Sequence, residues 1–304
     1  MPIAGAGCFE VATGSTEFVA PLTTSSSVFL ERLVLRCTTA DCIKPRVATT
    51  SDGLYLHVLD TGGSSPAVVP LHQVADFTGE WAQVAERLAG ACRVVAFDQR
   101  AHGSSTRRPA DLSRMAHVGD VVAVADALGL ERFTLVGQSM GAHTALLAAA
   151  AHPVRVGRLV LIEGGVGGEG PEATAGVIDW FRAWPTPFAT VDDAVAHLGG
   201  GPAARVWAEG LEETDAGWVP RFDVDVLEAA LRPVHERPRW EEWGQITAPT
   251  LLITGENGYV PAGELDEMRR RRPDVRHVQV PGAGHDVHLD APERVAELVR
   301  GFAA

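Results

Sequence analysis

The sequence predicts an α/β protein: a mostly parallel sheet covered by helices on both faces, with an inserted helical lid. Three observations predict it. Short apolar, β-branched runs alternate with stretches rich in helix formers along most of the chain, the pattern of a buried parallel sheet. One such run, Phe133-Thr134-Leu135-Val136, leads into Gly137-Gln138-Ser139-Met140-Gly141 and then into the Ala/Leu-rich stretch 142–151, a strand, tight turn and helix around a G-x-S-x-G core. Across 164–237 the alternation stops, and Trp180, Trp184, Trp207 and Trp218, four of the seven tryptophans, gather there.

Residues 1–44 are rich in Ala, Gly, Ser and Thr, with the tract Thr23-Thr24-Ser25-Ser26-Ser27. A weakly structured extension is expected, with one short helix or strand over 28–35 that packs on the core or on a partner subunit, which leaves a homodimer open. Ser51-Asp52-Gly53 is a turn, and Leu54 to Asp60 alternates like a strand. Ala67-Val68-Val69-Pro70-Leu71 is a short apolar strand running into the loop His72-Gln73-Val74-Ala75-Asp76-Phe77. A helix over 79–88 and the strand Arg93-Val94-Val95-Ala96-Phe97 follow, then the loop Asp98 to Ser105, then a helix over 118–128. Beyond the serine turn come the strands Arg158-Leu159-Val160-Leu161-Ile162, Thr250-Leu251-Leu252-Ile253-Thr254 and 275–280, with helices near 262–272 and 292–302. The expected division is a core of 45–163 and 238–304 with a lid of 164–237, whose aromatics are mostly its own core. Ligands of such a sheet bind outside the carboxyl ends of its strands.

Length and composition bound the function. The chain has 304 residues, 46% of them hydrophobic, enough for one large domain with an insertion. Its net charge is 26 − 39 = −13 with no long block of one sign, which argues against nucleic acid and anionic membrane as partners. Lys44 is the sole lysine, a bias read as codon usage. Cys8, Cys37, Cys42 and Cys92 form no Cys-x-x-Cys and no metal-spaced cluster; Cys37 and Cys42 are near enough in sequence to pair, but free thiols are the default. No run of 18 apolar residues and no basic n-region before an apolar h-region occurs, so a cytoplasmic protein is expected.

The serine turn carries chemistry. A nucleophile on a strained turn needs small neighbours, and Gly137 and Gly141 let the strand end and helix start approach. The free N–H groups of the helix then face any negative charge that develops beside Ser139.

The whole pattern over about 48–302 resembles the α/β-hydrolase fold family. The landmarks are Leu71-His72-Gln73, Asp98 to Ser105, the turn at Ser139, Ala248 to Gly255, and Pro281-Gly282-Ala283-Gly284-His285. The resemblance implies Ser139 as nucleophile and His285, after its Gly-Ala-Gly turn, as general base; His288 is a close rival, while His72, His102 and His143 are read as structural. It implies an oxyanion hole from the N–H of Met140 and, by position, of Val74. Two departures stand out. The usual His-Gly of the family is here His72-Gln73. The usual Asp, three residues past the glycine that is here Gly255, is replaced by Gly258. A minority of the family, including zearalenone-type lactone hydrolases, takes its acid from the end of the sixth strand, where Glu163 stands 163 − 139 = 24 residues after the nucleophile. Glu256 is the rival acid.

The resemblance implies a serine hydrolase acting on a small apolar ester or lactone, with no cofactor and no metal. The expected pocket wall is Gln73, Trp180, Trp184, Trp207, Trp218 and Tyr259. Carbon–carbon bond or thioester hydrolysis on the same residues, a cofactor-free haloperoxidase or perhydrolase, and a ligand-binding receptor on a hydrolase scaffold are the alternatives.

Overall fold

The computed structural model describes residues 10–11 and 44–303. The expected element over 28–35 and most of the expected extension lie outside the described residues.

The described strands β1 (Glu10–Val11), β2 (Lys44–Thr49), β3 (Tyr55–Asp60), β4 (Ala67–Leu71), β5 (Arg93–Phe97), β6 (Phe133–Gln138), β7 (Val156–Ile162), β10 (Thr250–Gly255) and β11 (Arg276–Val280) form one sheet in the order β1-β2-β3-β5-β4-β6-β7-β10-β11. Pairing is parallel from β5 through β11, and only β3 pairs antiparallel, with β2 and β5. The central strands β4 and β6 are buried along their whole length, which explains their unbroken apolar runs: both faces are covered.

Apolar side chains fill the two faces separately. On one, α2 (Arg114–Ala127), α3 (Met140–Ala151) and α8 (Trp240–Gln245) pack Val121, Leu146 and Trp243 against Leu135 and Leu159. On the other, α1 (Ala82–Leu88) and α11 (Pro292–Ala303) pack Leu88, Val295 and Val299 against Val136 and Val160. α3 is almost wholly buried, so its Ala/Leu composition fits a helix without a wet face.

Two helix starts differ from the sequence reading. The helix expected over 79–88 opens as a 3₁₀ turn, Thr78–Trp81, before α1. The helix expected from 118 begins at Arg114, because the Ser113 side chain accepts from the Ala116 N–H and caps it there.

Segment 164–237 supplies α4 (Pro171–Arg182), α5 (Val191–His197), α6 (Gly201–Glu209), a two-stranded hairpin of β8 (Glu212–Thr214) and β9 (Gly217–Val219), and α7 (Val224–His235). The hairpin is an addition to the helices read from sequence. A third apolar cluster, with Phe181, Trp184, Phe188, Phe222 and Leu227, joins these helices to Val74 and Met140 of the core. This packing sets the segment over the carboxyl edge of the sheet.

After β7 the chain turns into the loop 164–170, and α9 (Ala262–Arg271) and the short α10 (Val287–Asp290) flank the last strands.

Candidate active site

Four residues other than glycine have positive φ among the described residues: Ala75, Ala101, Ser139 and Glu163. They follow β4, β5, β6 and β7 in turn. Strain of this kind persists only where the surroundings enforce it, and it marks sites of function. Here it collects at the carboxyl edge of the sheet.

Ser139 sits between β6 and α3 at φ 53° and ψ −118°. Its N–H still reaches the Ile162 carbonyl of β7 at 3.0 Å, so the turn is pinned to the sheet. A side chain on either flanking glycine is excluded. A Cβ on Gly137 would stand 2.3 Å from the Gly141 carbonyl oxygen, and one on Gly141 would stand 2.5 Å from that of Leu71.

Glu163 directly follows β7 at φ 45°. Its buried carboxylate accepts from the N–H of Gly255 at 2.8 Å and of Tyr259 at 2.5 Å. His285 Nδ1 lies 3.5 Å from Glu163 Oε2, ion-pair range but longer than a hydrogen bond; such contacts commonly tighten when substrate binds. Burial pushes the Glu163 pKa up, but the His285 ring and the two backbone N–H groups outweigh it and hold the carboxyl below its ordinary range. The group is an anion ready to face an imidazolium.

Gly258 makes the room for that carboxylate. A Cβ on it would stand 2.0 Å from Glu163 Oε1. The place where the family usually carries an Asp side chain is filled by a carboxylate from the neighbouring strand. Glu256 is turned elsewhere: its Oε2 accepts from the Gly282 N–H at 2.8 Å.

The histidine loop is held from two sides. Gln138, just before Ser139, donates its amide to the His285 carbonyl at 3.0 Å. Tyr259 places its ring edge to that of His285, centroids 5.9 Å apart, and is itself half exposed. His288 does not face Glu163. It is fully buried, stacked on Trp81 at 4.6 Å, with Nε2 at 3.4 Å from Glu80 Oε1.

The loop after β4 is equally fixed. His72 accepts the Gln99 N–H on Nε2 at 2.8 Å, so its Nδ1 carries the proton toward the Gln73 carbonyl at 2.7 Å. Burial lowers the pKa of both His72 and His102, the latter to about 3, and keeps them neutral supports. Gln73 donates its amide to Asp286 Oδ1 at 2.8 Å and to Asp76 Oδ2 at 3.3 Å. It ties the loop of Val74 to the residue beside His285. Val74 and Met140 share one apolar cluster.

The tryptophans divide. Trp184 and Trp207 line a narrow cavity with Asp76, Phe77, Arg221 and Phe222. Trp180 is 48% exposed and packs on the outside of that group, its centroid 5.2 Å from that of Trp184. Trp218 belongs to the hairpin and exchanges backbone hydrogen bonds with Phe188.

Sequence reasoning missed several partners. Gln138 had no signal beyond its place in the turn. Asp76, Glu80 and Asp286, brought together under Gln73, are too dispersed in sequence to suggest a cluster. Gln73 was legible as a departure, though its partners were not. His143, as expected, is a buried residue of α3, covered by Gly167 of the loop after β7.

This architecture and this strained serine turn define an α/β hydrolase. The chain belongs to the α/β hydrolase fold family, whose model matches residues 66–292. It is 28% identical over 246 residues to the N-formylmaleamate deformylase of Pseudomonas putida, covering 79% of this chain and 90% of that protein. It is 30% identical over 264 residues to the sn-1-specific diacylglycerol lipase ABHD11 of Mus musculus, covering 83% and 85%. The crystal structure of E-2-(acetamidomethylene)succinate hydrolase superposes with a TM-score of 0.78 at 25% identity, over 86% of this chain and 98% of that one. The protein is a hydrolase of this family.

Proposed function

We propose that the protein is a serine hydrolase that cleaves a carboxylic ester or lactone of largely apolar body through an acyl-enzyme. Ser139 Oγ attacks the carbonyl carbon as His285 takes its proton. The imidazolium, held against Glu163, returns that proton to the departing alkoxide. Water then repeats the sequence on the acyl-enzyme and releases the acid. The N–H groups of Met140 and Val74 receive the oxyanion. Segment 164–237 acts as the lid, with Trp184 and Trp207 against the substrate and Trp180, Trp218 and Tyr259 at its margin.

The observation that carries this reading is Glu163 seated in the room left by Gly258 and facing His285 at 3.5 Å. It supports Glu163 as the acid behind His285 although the usual acid is missing. A fluorophosphonate probe should add once, and peptide mapping should place the adduct on Ser139. Ser139→Ala should lower turnover roughly 10⁶-fold, the scale seen when a triad acts as a unit. An adduct on another serine, or a Ser139→Ala protein of near-normal rate, would remove the mechanism.

A second reading has a specific support. Two of the relatives are by name a deformylase and a hydrolase of an acetamido compound, so an acyl–nitrogen bond belongs in the same substrate panel. The same attack serves it, with His285 protonating the leaving amine.

A further inference from the structure

We infer that Arg221 is a specificity-determining residue and that the substrate carries a carboxylate at the end remote from the scissile bond. The inference rests on the proposed hydrolase reading and names the substrate class for that site. Arg221 lies between the hairpin and α7 and is 9% exposed. It lines the narrow cavity with Trp184, Trp207 and Phe222 from above, and Asp76 and Phe77 of the loop after β4 from below. Its Nε donates to the Gly210 carbonyl at 2.7 Å and its Nη1 to Ser104 Oγ at 3.3 Å. The guanidinium carbon sits over the Phe77 ring, 5.1 Å from the centroid. The cation is therefore aimed and held, yet among the described residues it forms no ion pair.

Among the described residues the buried Arg114 shares that lack, whereas several other arginines are paired. Arg100 is buried against Asp120 at 2.6 Å, and Arg107, next to the same segment, pairs with Glu212 and Asp223 at 3.1 Å. A buried guanidinium without a direct ion pair is costly, because desolvation disfavours its charge, and the nearby Asp98, Glu212 and Asp76 carboxylates offset that only in part. Asp76, on the same cavity wall, is a poor counter-ion. Burial and the neighbouring Glu80 and Asp286 carboxylates raise its pKa well above the ordinary range. A carboxylate entering beside the tryptophans would supply the direct counter-ion that Arg221 lacks. A guanidinium presents a planar fork suited to that group. The aromatic walls suit the apolar part of the same molecule, so one pocket selects a substrate that is apolar in its body and anionic at its tip.

The test compares 4-nitrophenyl hemiglutarate with 4-nitrophenyl pentanoate, esters of similar length that differ in the terminal charge. The wild-type protein should favour the hemiglutarate in kcat/KM by at least about tenfold, mainly through KM. Arg221→Gln should lower that ratio by roughly 10- to 100-fold, the scale of one charged hydrogen bond lost. Arg221→Lys should keep the sign of the preference, which separates lost charge from lost packing. A wild-type ratio near or below one overturns the inference without needing any variant. So does a preference that survives Arg221→Gln in a folded protein. If neither ester is cleaved and no adduct forms on Ser139, the hydrolase reading has failed separately. Calorimetry with glutarate then decides: binding by the wild type that is lost in Arg221→Gln supports the carboxylate site, and absence of binding by the wild type overturns it.

Discussion

Glu163 keeps its charge through three contacts made by a single side chain. Burial alone would push a carboxyl toward its neutral form, and a neutral acid could not offset an imidazolium. The His285 ring and the N–H groups of Tyr259 and Gly255 reverse that effect and depress the pKa. The sign follows: the contribution of Glu163 to stability is present above the ordinary glutamate value and is lost as pH falls through the lower, folded value. Glu163→Gln should lower turnover roughly 10³- to 10⁴-fold, as when a triad carboxylate becomes an amide, while Glu256→Gln should leave the rate near wild type. Steady-state kinetics on the two variants decides between the acids, and the reverse outcome would move the acid to the loop after β10. The seat itself is testable. Gly258→Asp should also cripple the enzyme, because its Cβ would overlap the Glu163 carboxylate.

The loops at the carboxyl edge of the sheet act as one assembly. Gln73 joins the loop after β4 to the loop of His285, and it does so over a buried acidic pair. Burial raises the pKa of both Asp76 and Glu80, and Asp286 raises them further. The folded protein thus holds protons that the unfolded chain has already released, so stability falls as pH rises from the ordinary carboxylate range toward the folded values. Glu80→Gln removes one of the two groups and should flatten that slope. Thermal melts at pH 5 and pH 8 should show a smaller drop for the variant than for the wild type; an unchanged drop would exclude the pair as its source. These elements also show what a sequence can and cannot disclose. The strands from β4 to β11 were legible because a sheet covered on both faces needs unbroken apolar runs. Ser139 and His285 were legible because glycines must flank them. Helix starts were less so, since one hydroxyl, Ser113, moves the start of α2 by several residues. The partners of Gln73 and the cation at Arg221 were not legible, because they arise from loops distant in sequence that meet only once the sheet is closed.

At the scale of the molecule, two apolar clusters hold the sheet and a third holds segment 164–237 to it. The third is small and aromatic, so its stability depends on few side chains. Trp184 is 6% exposed and its ring meets those of Phe181, Phe188, Trp207 and Phe222. Trp184→Ala should cost about 3–5 kcal/mol, the usual range for a buried large aromatic, and weaken bulky apolar substrates more than short ones. Trp180 is half exposed, and Trp180→Ala should cost under about 1 kcal/mol. Chemical denaturation followed at equilibrium, with the chain-length profile of each variant, tests both. Equal costs for the two would mean that Trp184 is not the keystone of the cluster.

The fit of Glu163 into the space beside Gly258 also bears on how relatives are sorted. A comparison that weighs each position by itself meets only a glycine, Gly258, at the usual acid address. The two positions carry one message between them: a vacancy in one loop and a longer acid on the adjoining strand. On the proposed assignment the glycine is the signature of a relocated acid, and a rate loss in Glu163→Gln would let sequences with the same pairing be separated from inactive ones.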